Sequence, residues 1–151
     1  MAHISGSASS DIDAPIGAVW AVVRDVERWA QWQETLGEVT VTQADGHGLV
    51  RECQVKIDAK ITQIAMTLEC SYDEPSQMAF TRIAGDLSSL GGTWQLADIG
   101  EHRTRATYTL DVDPGRVIGF LLNAERKERL RGQLVDARPG ELKAAVESAG
   151  V

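Results

Sequence analysis

Hydrophobic and polar residues alternate in short runs through the middle of the chain, a pattern that predicts β-strands. Turn signals such as Asp45-Gly46 separate the runs. The predicted strands cover residues 38–44, 48–58, 60–72, 77–85, 91–99 and 103–112. A further strand is predicted over the serine-rich residues 3–13, near a sheet edge. Strands joined by short turns favour an antiparallel sheet, because parallel pairing needs long crossover connections.

Helical periodicity appears on both sides of these strands. Asp13 and Pro15 suit the start of a first short helix, and residues 27–36 predict a second, in which Trp29 and Trp32 share one face and are interpreted as core. Asp113-Pro114 predicts the start of a long helix over residues 115–137. Arg138-Pro139-Gly140 is expected to kink or end it, before a final short helix over residues 141–150. Together the elements predict one α+β domain over residues 1–151, with the helices on one face of the sheet.

The charge balance disfavours several classes of partner. The chain has 22 acidic and 15 basic residues, a net charge of -7. Nucleic-acid binding depends on basic groups that neutralise phosphates, and docking on an anionic membrane needs the same sign of charge. The N-terminal "MAHISGSASS" lacks the apolar segment of a secretory signal, and no apolar run reaches the roughly 20 residues that span a bilayer. A soluble, cytoplasmic protein without stable membrane insertion is expected.

The two cysteines, Cys53 and Cys70, fall on the apolar faces of predicted strands. If these strands form a hairpin that turns near residues 58–60, the two residues lie about 17 Å apart along the sheet. A disulfide needs Cα atoms within about 7 Å of each other. The sequence therefore predicts two free, buried, reduced thiols.

Three stretches of the chain carry a resemblance to a known family. The run "DIDAPIGAVWAVVRDVERWAQW" (residues 11–32) resembles the opening of the START-like (SRPBCC) superfamily, in its polyketide cyclase/dehydrase and lipid-transport branch. The run "GDLSSLGGTWQL" (residues 85–96) is similar to the Gly-to-Trp hairpin of that family, and "YTLDVDPG" (residues 108–115) to its last strand and the start of its terminal helix. The break at Pro139 departs from the unbroken terminal helix of the family.

The resemblance implies a helix-grip fold, in which a curved antiparallel sheet of about seven strands wraps around a long C-terminal helix and encloses an apolar pocket. Family members include cyclases, lipid and quinone carriers, and stress- or ribosome-associated proteins. The expected function is binding of an apolar small molecule (a lipid, quinone or polyketide) by a carrier or sensor. The alternative is a polyketide cyclase/dehydrase that acts on a poly-β-ketone in the same cavity.

A protein-interaction module is a third, less favoured hypothesis. It would use the charged run "ERKERLR" (residues 125–131) as a docking surface. Glu125 and Glu128 interleave with the basic residues at helical spacing, so the run is interpreted first as a solvated helix face.

Arg51 is the first candidate for a ligand contact, because it shares strand parity with Cys53, Val55 and Ile57. A buried guanidinium stays charged, so in an apolar pocket it would orient a ligand carbonyl or carboxylate. The alternative is that its head lies in water at a strand end. Arg82 is a second candidate for a ligand contact. The alternatives are that it pairs with Asp98 or that it is exposed to solvent. The complete set of candidate cavity-lining residues is Arg51, Cys53, Val55, Met66, Leu68, Cys70, Tyr72, Phe80, Arg82, Trp94, Tyr108 and Phe120.

Signals for catalysis or for a cofactor are weak. His3, His47 and His102 fall near the terminus or in predicted turns, and Cys53 has no evident base beside it. The sequence contains no H-x-x-x-H, C-x-x-C or phosphate-binding glycine loop, so neither a metal nor a cofactor is predicted. The sequence leaves open whether a reaction occurs, and it leaves open the oligomeric state, for which a dimer is one option.

Overall fold

In the computed structural model, residues 3–59 and 62–149 are described. The strands are β1 (Ile4–Ile12), β2 (Leu36–Ala44), β3 (Val50–Asp58), β4 (Gln63–Asp73), β5 (Gln77–Gly85), β6 (Ser89–Gly100) and β7 (Arg103–Asp113). The helices are α1 (Ile16–Val23), α2 (Gly115–Phe120), α3 (Ala124–Arg131) and α4 (Arg138–Ala149), with a 3₁₀ turn at Val26–Gln31 and a π turn at Gly132–Asp136. The predicted residues Lys60, Ile61 and Gly150 lie outside the described residues.

Over the described residues, seven strands form one antiparallel sheet in the order β1-β7-β6-β5-β4-β3-β2. The predicted α+β helix-grip architecture is confirmed, and so is the edge position of the first strand. The serines of β1 have partners on the neighbouring strand: the Ser7 and Ser9 hydroxyls lie 3.1 and 2.8 Å from those of Thr109 and Thr107. The long crossover from β1 to β2 carries α1 and the 3₁₀ turn, which brings these elements to the inner face.

A β-bulge in β3 changes which residues face inward. Val50 and Cys53 are both buried, although they are three residues apart and would face opposite sides of a regular strand. The pairing of β2 with β3 shifts twice near this point, between Val41 and Gln43 and again before Ala44. The extra residue turns Arg51 to the outer side. The prediction that Arg51 shares an inward face with Cys53 is therefore wrong.

The terminal helical region is divided where the sequence predicted one helix over residues 115–137. α2 ends at Phe120, and the Asn123 side chain accepts a hydrogen bond of 2.8 Å from the Arg126 N–H, which caps a new helix. Within the π turn, the Ala137 N–H donates to the Gly132 carbonyl, five residues back, at 3.0 Å. This wider turn places Pro139 in the first turn of α4, where a missing N–H is tolerated. Pro139 therefore does not end the helical region.

The interior is solid at one end, which we call the packed region (Trp20, Cys53, Cys70, Met78 and Trp94). Both cysteines are free and buried, as predicted. Their predicted separation of about 17 Å is wrong, because the β3–β4 register pairs Cys53 with Leu68 and leaves Cys70 only two residues away. The neighbouring Cys53 thiol together with burial raises the pKa of Cys70, so that its thiol stays protonated.

Candidate functional site

A cavity of about 70 Å³ lies between the sheet and the terminal helical region, beside the packed region. A single water molecule needs roughly 10–15 Å³ of such space. Its sheet wall is formed by aliphatic and aromatic side chains, among them Val55, Met66, Leu68, Phe80, Leu110 and Val112. Its opposite wall includes Trp29, Ile118, Leu122, Leu130, Leu134 and Arg138. An apolar space of this kind is poorly solvated and favours apolar guests.

The cavity approaches solvent beside α2. Leu87, Ile118 and Leu122 line it there and are only partly buried. Phe120, predicted as a wall residue, is 93% exposed, so this prediction is wrong. It assumed that α2 and α3 form one continuous helix; in the separate α2, Ile118 faces the cavity and Phe120 faces outward.

Arg138 marks the polar end of the cavity. Its side chain is 5% exposed, and its Nη1 donates to Glu141 Oε1 at 2.8 Å. Its Nη2 donates to the Thr35 hydroxyl at 2.9 Å. The other Glu141 oxygen accepts the Glu34 N–H at 2.7 Å, which ties α4 to the start of β2. The Arg138 Nε–H is buried and has no hydrogen-bond partner among the described residues. A buried donor of this kind is costly unless something accepts from it.

Tyr108 lies beside this arginine on β7. The Arg138 guanidinium carbon is 6.0 Å from the centre of the Tyr108 ring. Burial raises the pKa of Tyr108, although the neighbouring Arg138 acts in the opposite direction. The phenol therefore stays protonated at neutral pH and keeps a proton to donate. Gln33, Thr35 and Thr62 complete the polar part of a lining that is otherwise largely apolar.

The distance between the polar end and the mouth follows from β7. Tyr108 and Val112 both line the cavity, and the four residues between their positions correspond to roughly 13 Å of extended strand. On the helical side, Arg138, Leu130 and Leu122 follow the same direction in reverse chain order. Tyr108 and Arg138 therefore lie deeper in the cavity than Val112 and Leu122, which lie near the mouth.

Five of the predicted wall residues line the cavity: Val55, Met66, Leu68, Phe80 and Tyr108. Three others, Cys53, Cys70 and Trp94, are buried in the packed region instead. Tyr72 is half-buried at the edge of that region, and its hydroxyl donates to the Val50 carbonyl at 2.6 Å. Strand parity correctly predicted that these residues face inward. It carried no information about where along the strand the interior becomes hollow.

The two arginines chosen from the sequence both lie outside the cavity. Arg51 is 44% exposed, with its Nη2 2.8 Å from Asp45 Oδ2 and its guanidinium carbon 5.4 Å from the centre of the Tyr72 ring. Hydrogen bonds from the His47 and Leu49 N–H groups and from Arg51 lower the pKa of Asp45, which keeps this partner ionised.

Arg82 also departs from the predicted pairing with Asp98. It donates to the carbonyls of Gly85 and Asp86 at 2.7 and 3.0 Å, and so holds the loop after β5. Asp98 instead accepts the Gly100 N–H at 2.8 Å. Neither Arg51 nor Arg82 is placed to orient a molecule in the cavity.

Arg138 is the site residue that the sequence interpretation missed, because Arg138-Pro139-Gly140 predicts a kink or an end of a helix rather than a site. A signal was present in the spacing. Leu130, Leu134, Leu142 and Val146 are each separated by multiples of four residues from position 138, and all four are buried. A stripe of this kind predicts a buried side chain at Arg138.

Other candidate chemistry is absent from the part of the chain that the structure describes. Among residues 3–59 and 62–149, no group of three or more His, Cys, Asp or Glu side chains is placed to hold a metal ion. Within the same ranges, no helix is both long enough and apolar enough to cross a bilayer. The charged run on α3 is a solvated face, as predicted, with Arg129–Glu125 and Arg131–Glu128 pairs at 3.0 and 3.3 Å.

Comparison with known proteins relates this geometry to a family. Residues 12–137 match the family model described as "Polyketide cyclase / dehydrase and lipid transport". A search among curated proteins gave no match.

Solved structures with a similar fold are numerous. A START superfamily protein from Mycobacterium smegmatis is 15% identical, with a TM-score of 0.82 over 96% of this chain and 98% of its own. The protein TTHA0849 from Thermus thermophilus is 21% identical, with a TM-score of 0.83 over 97% and 99% of the two chains. The Zhui aromatase/cyclase from Streptomyces sp. R1128 is 16% identical, with a TM-score of 0.75 over 99% of this chain and 96% of that one. At these identities the likeness shows the fold alone.

Proposed function

Because the chain belongs to the polyketide cyclase/dehydrase and lipid-transport family, we propose that it binds an apolar small molecule, as a carrier or sensor, in the cavity between the sheet and the terminal helical region. The observation that supports this proposal is the largely apolar space into which Tyr108 and Arg138 bring polar groups. Burial of apolar ligand surface there contributes about 25 cal/mol per Å². The lining is formed mainly by strands and helices, so little ordering is needed on binding.

Thermal unfolding with and without butylbenzene tests the proposal. A ligand that binds only the folded state at about 100 times its Kd adds about 2.7 kcal/mol to the free energy of unfolding. We expect the wild-type Tm to rise accordingly. Native mass spectrometry of protein purified without denaturation would show which natural molecule is retained.

Two variants make the test specific to the cavity. Val112→Phe places a ring in the cavity and should abolish the Tm shift, because Val112 lines the sheet wall. Ile99→Phe is the matched control, because Ile99 lies at the exposed end of β6 and is 37% exposed. An absent shift in the wild type, or an equal shift in Val112→Phe, would contradict the proposal.

A second candidate function is cyclisation or dehydration of a poly-β-ketone. The observation in its favour is the pairing of a protonated Tyr108 hydroxyl with the Arg138 guanidinium at the cavity surface. In such a reaction Tyr108 would donate a proton to a carbonyl oxygen while a water molecule takes up the α-proton, so that a neutral enol forms, and Arg138 would hold that oxygen by a hydrogen bond. The similar fold of an aromatase/cyclase is consistent with this chemistry.

Turnover of a short synthetic poly-β-ketone, followed by the absorbance of an aromatic product, tests this second candidate. We expect Tyr108→Phe to lower the rate while leaving the butylbenzene-induced Tm shift in place. Product formation that is equally fast without protein, or in Tyr108→Phe, would leave the carrier or sensor function as the better account.

A further inference from the structure

The unpartnered donor at the polar end of the cavity has a consequence for the kind of molecule that fits there. Arg138 is almost completely buried, and two of its three nitrogens are already bonded, to Glu141 and to Thr35. The remaining Nε–H has no partner among residues 3–59 and 62–149. Of the five N–H groups of the guanidinium, one is donated to Glu141 and one to Thr35, so the Nε–H is among those that remain for an oxygen atom supplied by a ligand.

The charge of that oxygen is restricted by Glu141. Its Oε1 lies 2.8 Å from Arg138 Nη1, so the guanidinium charge is already neutralised inside the protein. A ligand carboxylate at Nε would give this end of the cavity a net negative charge in poorly solvated surroundings, which is costly. A neutral carbonyl oxygen accepts the same hydrogen bond without that cost. A hydrocarbon would leave the N–H unbonded.

We propose that Arg138 Nε–H is a recognition point for a neutral carbonyl oxygen, as in a ketone, quinone or ester, and that Glu141 makes the cavity reject anionic head groups. The inference rests on the proposed function, because it concerns the ligand of the same cavity. It excludes both free fatty acids and plain hydrocarbons as preferred guests. The carbonyl lies at the Tyr108 end, and the apolar body extends toward Ile118 and Leu122.

Three probes of similar size separate these possibilities: benzylacetone (a ketone), hydrocinnamic acid (ionised at neutral pH) and butylbenzene (a hydrocarbon). Their dissociation constants are measured by isothermal titration for the wild type and two variants. Arg138→Lys keeps the positive charge and the pairing with Glu141 but removes the Nε–H. Glu141→Gln keeps the size of the side chain and one acceptor oxygen but removes the negative charge. Circular dichroism and thermal melting check that each variant is folded.

In Arg138→Lys, we expect benzylacetone affinity relative to butylbenzene to fall about tenfold or more, the effect of losing one charge-assisted hydrogen bond. In Glu141→Gln, hydrocinnamate affinity relative to butylbenzene should rise about tenfold, while the benzylacetone ratio changes little. A merely structural role would weaken all three probes together. If Arg138→Lys does not fold, Glu141→Gln and the wild-type probe series still decide the charge preference.

The outcomes distinguish a failure of this inference from a failure of the proposed binding function. If butylbenzene binds and the probe ratios stay within twofold in both variants, the inference is overturned and the proposed function stands. If hydrocinnamate is the tightest wild-type ligand, the preference for a neutral group is overturned. If no probe binds the folded wild type, the proposed function fails and the inference fails with it.

Discussion

The packed region and the cavity share one sheet, yet one is solid and the other hollow. In the packed region Trp94 is fully buried, 4.6 Å from the Tyr108 ring centre and 6.1 Å from that of Trp32. In the cavity the corresponding sheet positions carry shorter aliphatic side chains such as Leu110 and Val112. The difference indicates that the Trp94 indole fills its part of the interior, whereas Leu110 and Val112 leave space between the sheet and the helices. The backbone pairing is continuous through both regions.

The largest expected difference between fully packed positions and cavity-lining positions is the cost of removing a buried side chain. Leu142 on α4 is fully buried outside the cavity wall, whereas Leu134 lines the cavity. We expect Leu142→Ala to lower the free energy of unfolding by about 4–5 kcal/mol and Leu134→Ala by about 2–3 kcal/mol. The reason is that a wall residue has fewer neighbouring atoms to lose. Urea denaturation measures both, and equal costs would mean that the cavity wall is packed as tightly as the rest.

Enlarging a buried side chain should also cost more at a fully packed position than beside the cavity, but this difference should be smaller than the one above. Val23→Leu adds a methylene group to a fully buried position on α1 and should cost about 1–3 kcal/mol. Val112→Leu adds the same group beside the cavity and should change stability by less than about 0.5 kcal/mol. It should also weaken butylbenzene binding. A large destabilisation by Val112→Leu, measured by the same urea denaturation, would contradict the presence of free space there.

The smallest effect concerns the outer edge of the packed region, where Asp45 holds Arg51 beside Tyr72. The folded-state pKa of Asp45 is lowered, first by the His47 N–H. Its contribution to stability is therefore complete above the unfolded-state pKa of about 3.9 and is lost as the pH falls through the lower folded-state value. We expect wild type to exceed Asp45→Asn in stability at neutral pH, with the gap closing in acid. Denaturation at several pH values measures this, and a gap that does not change with pH would exclude the carboxylate as its source.

Much of the fold was predictable because its signals are local. Alternation in the strand pattern and the turn dipeptides gave the strands, and their order gave the antiparallel sheet. The site was less predictable because it depends on irregularities. One extra residue in β3 moved Arg51 to the surface, and the β3–β4 register brought Cys70 to Cys53. Neither feature has a local sequence signature.

The helical part of the site was also hard to predict from local sequence signals. The apolar residues over 117–122 fit one helix well, but the cap at Asn123 divides it and leaves Phe120 outside. Arg138 stands next to Pro139 and Gly140, residues that usually mark an end of a helix. Its burial depends on tertiary contacts with Thr35 and Glu141, residues brought together only when α4 packs beside the start of β2.

The π turn at Gly132–Asp136 determines which side chain of α4 faces the cavity. Each residue of a regular helix advances the direction of its side chain by about 100°. The π turn completes about the same rotation with one more residue, so if the same residues wound as ordinary α-helix, Arg138 would rotate away from Tyr108 by about that angle. The winding of this one turn therefore decides whether Arg138 or an aliphatic side chain lines the cavity wall opposite the sheet.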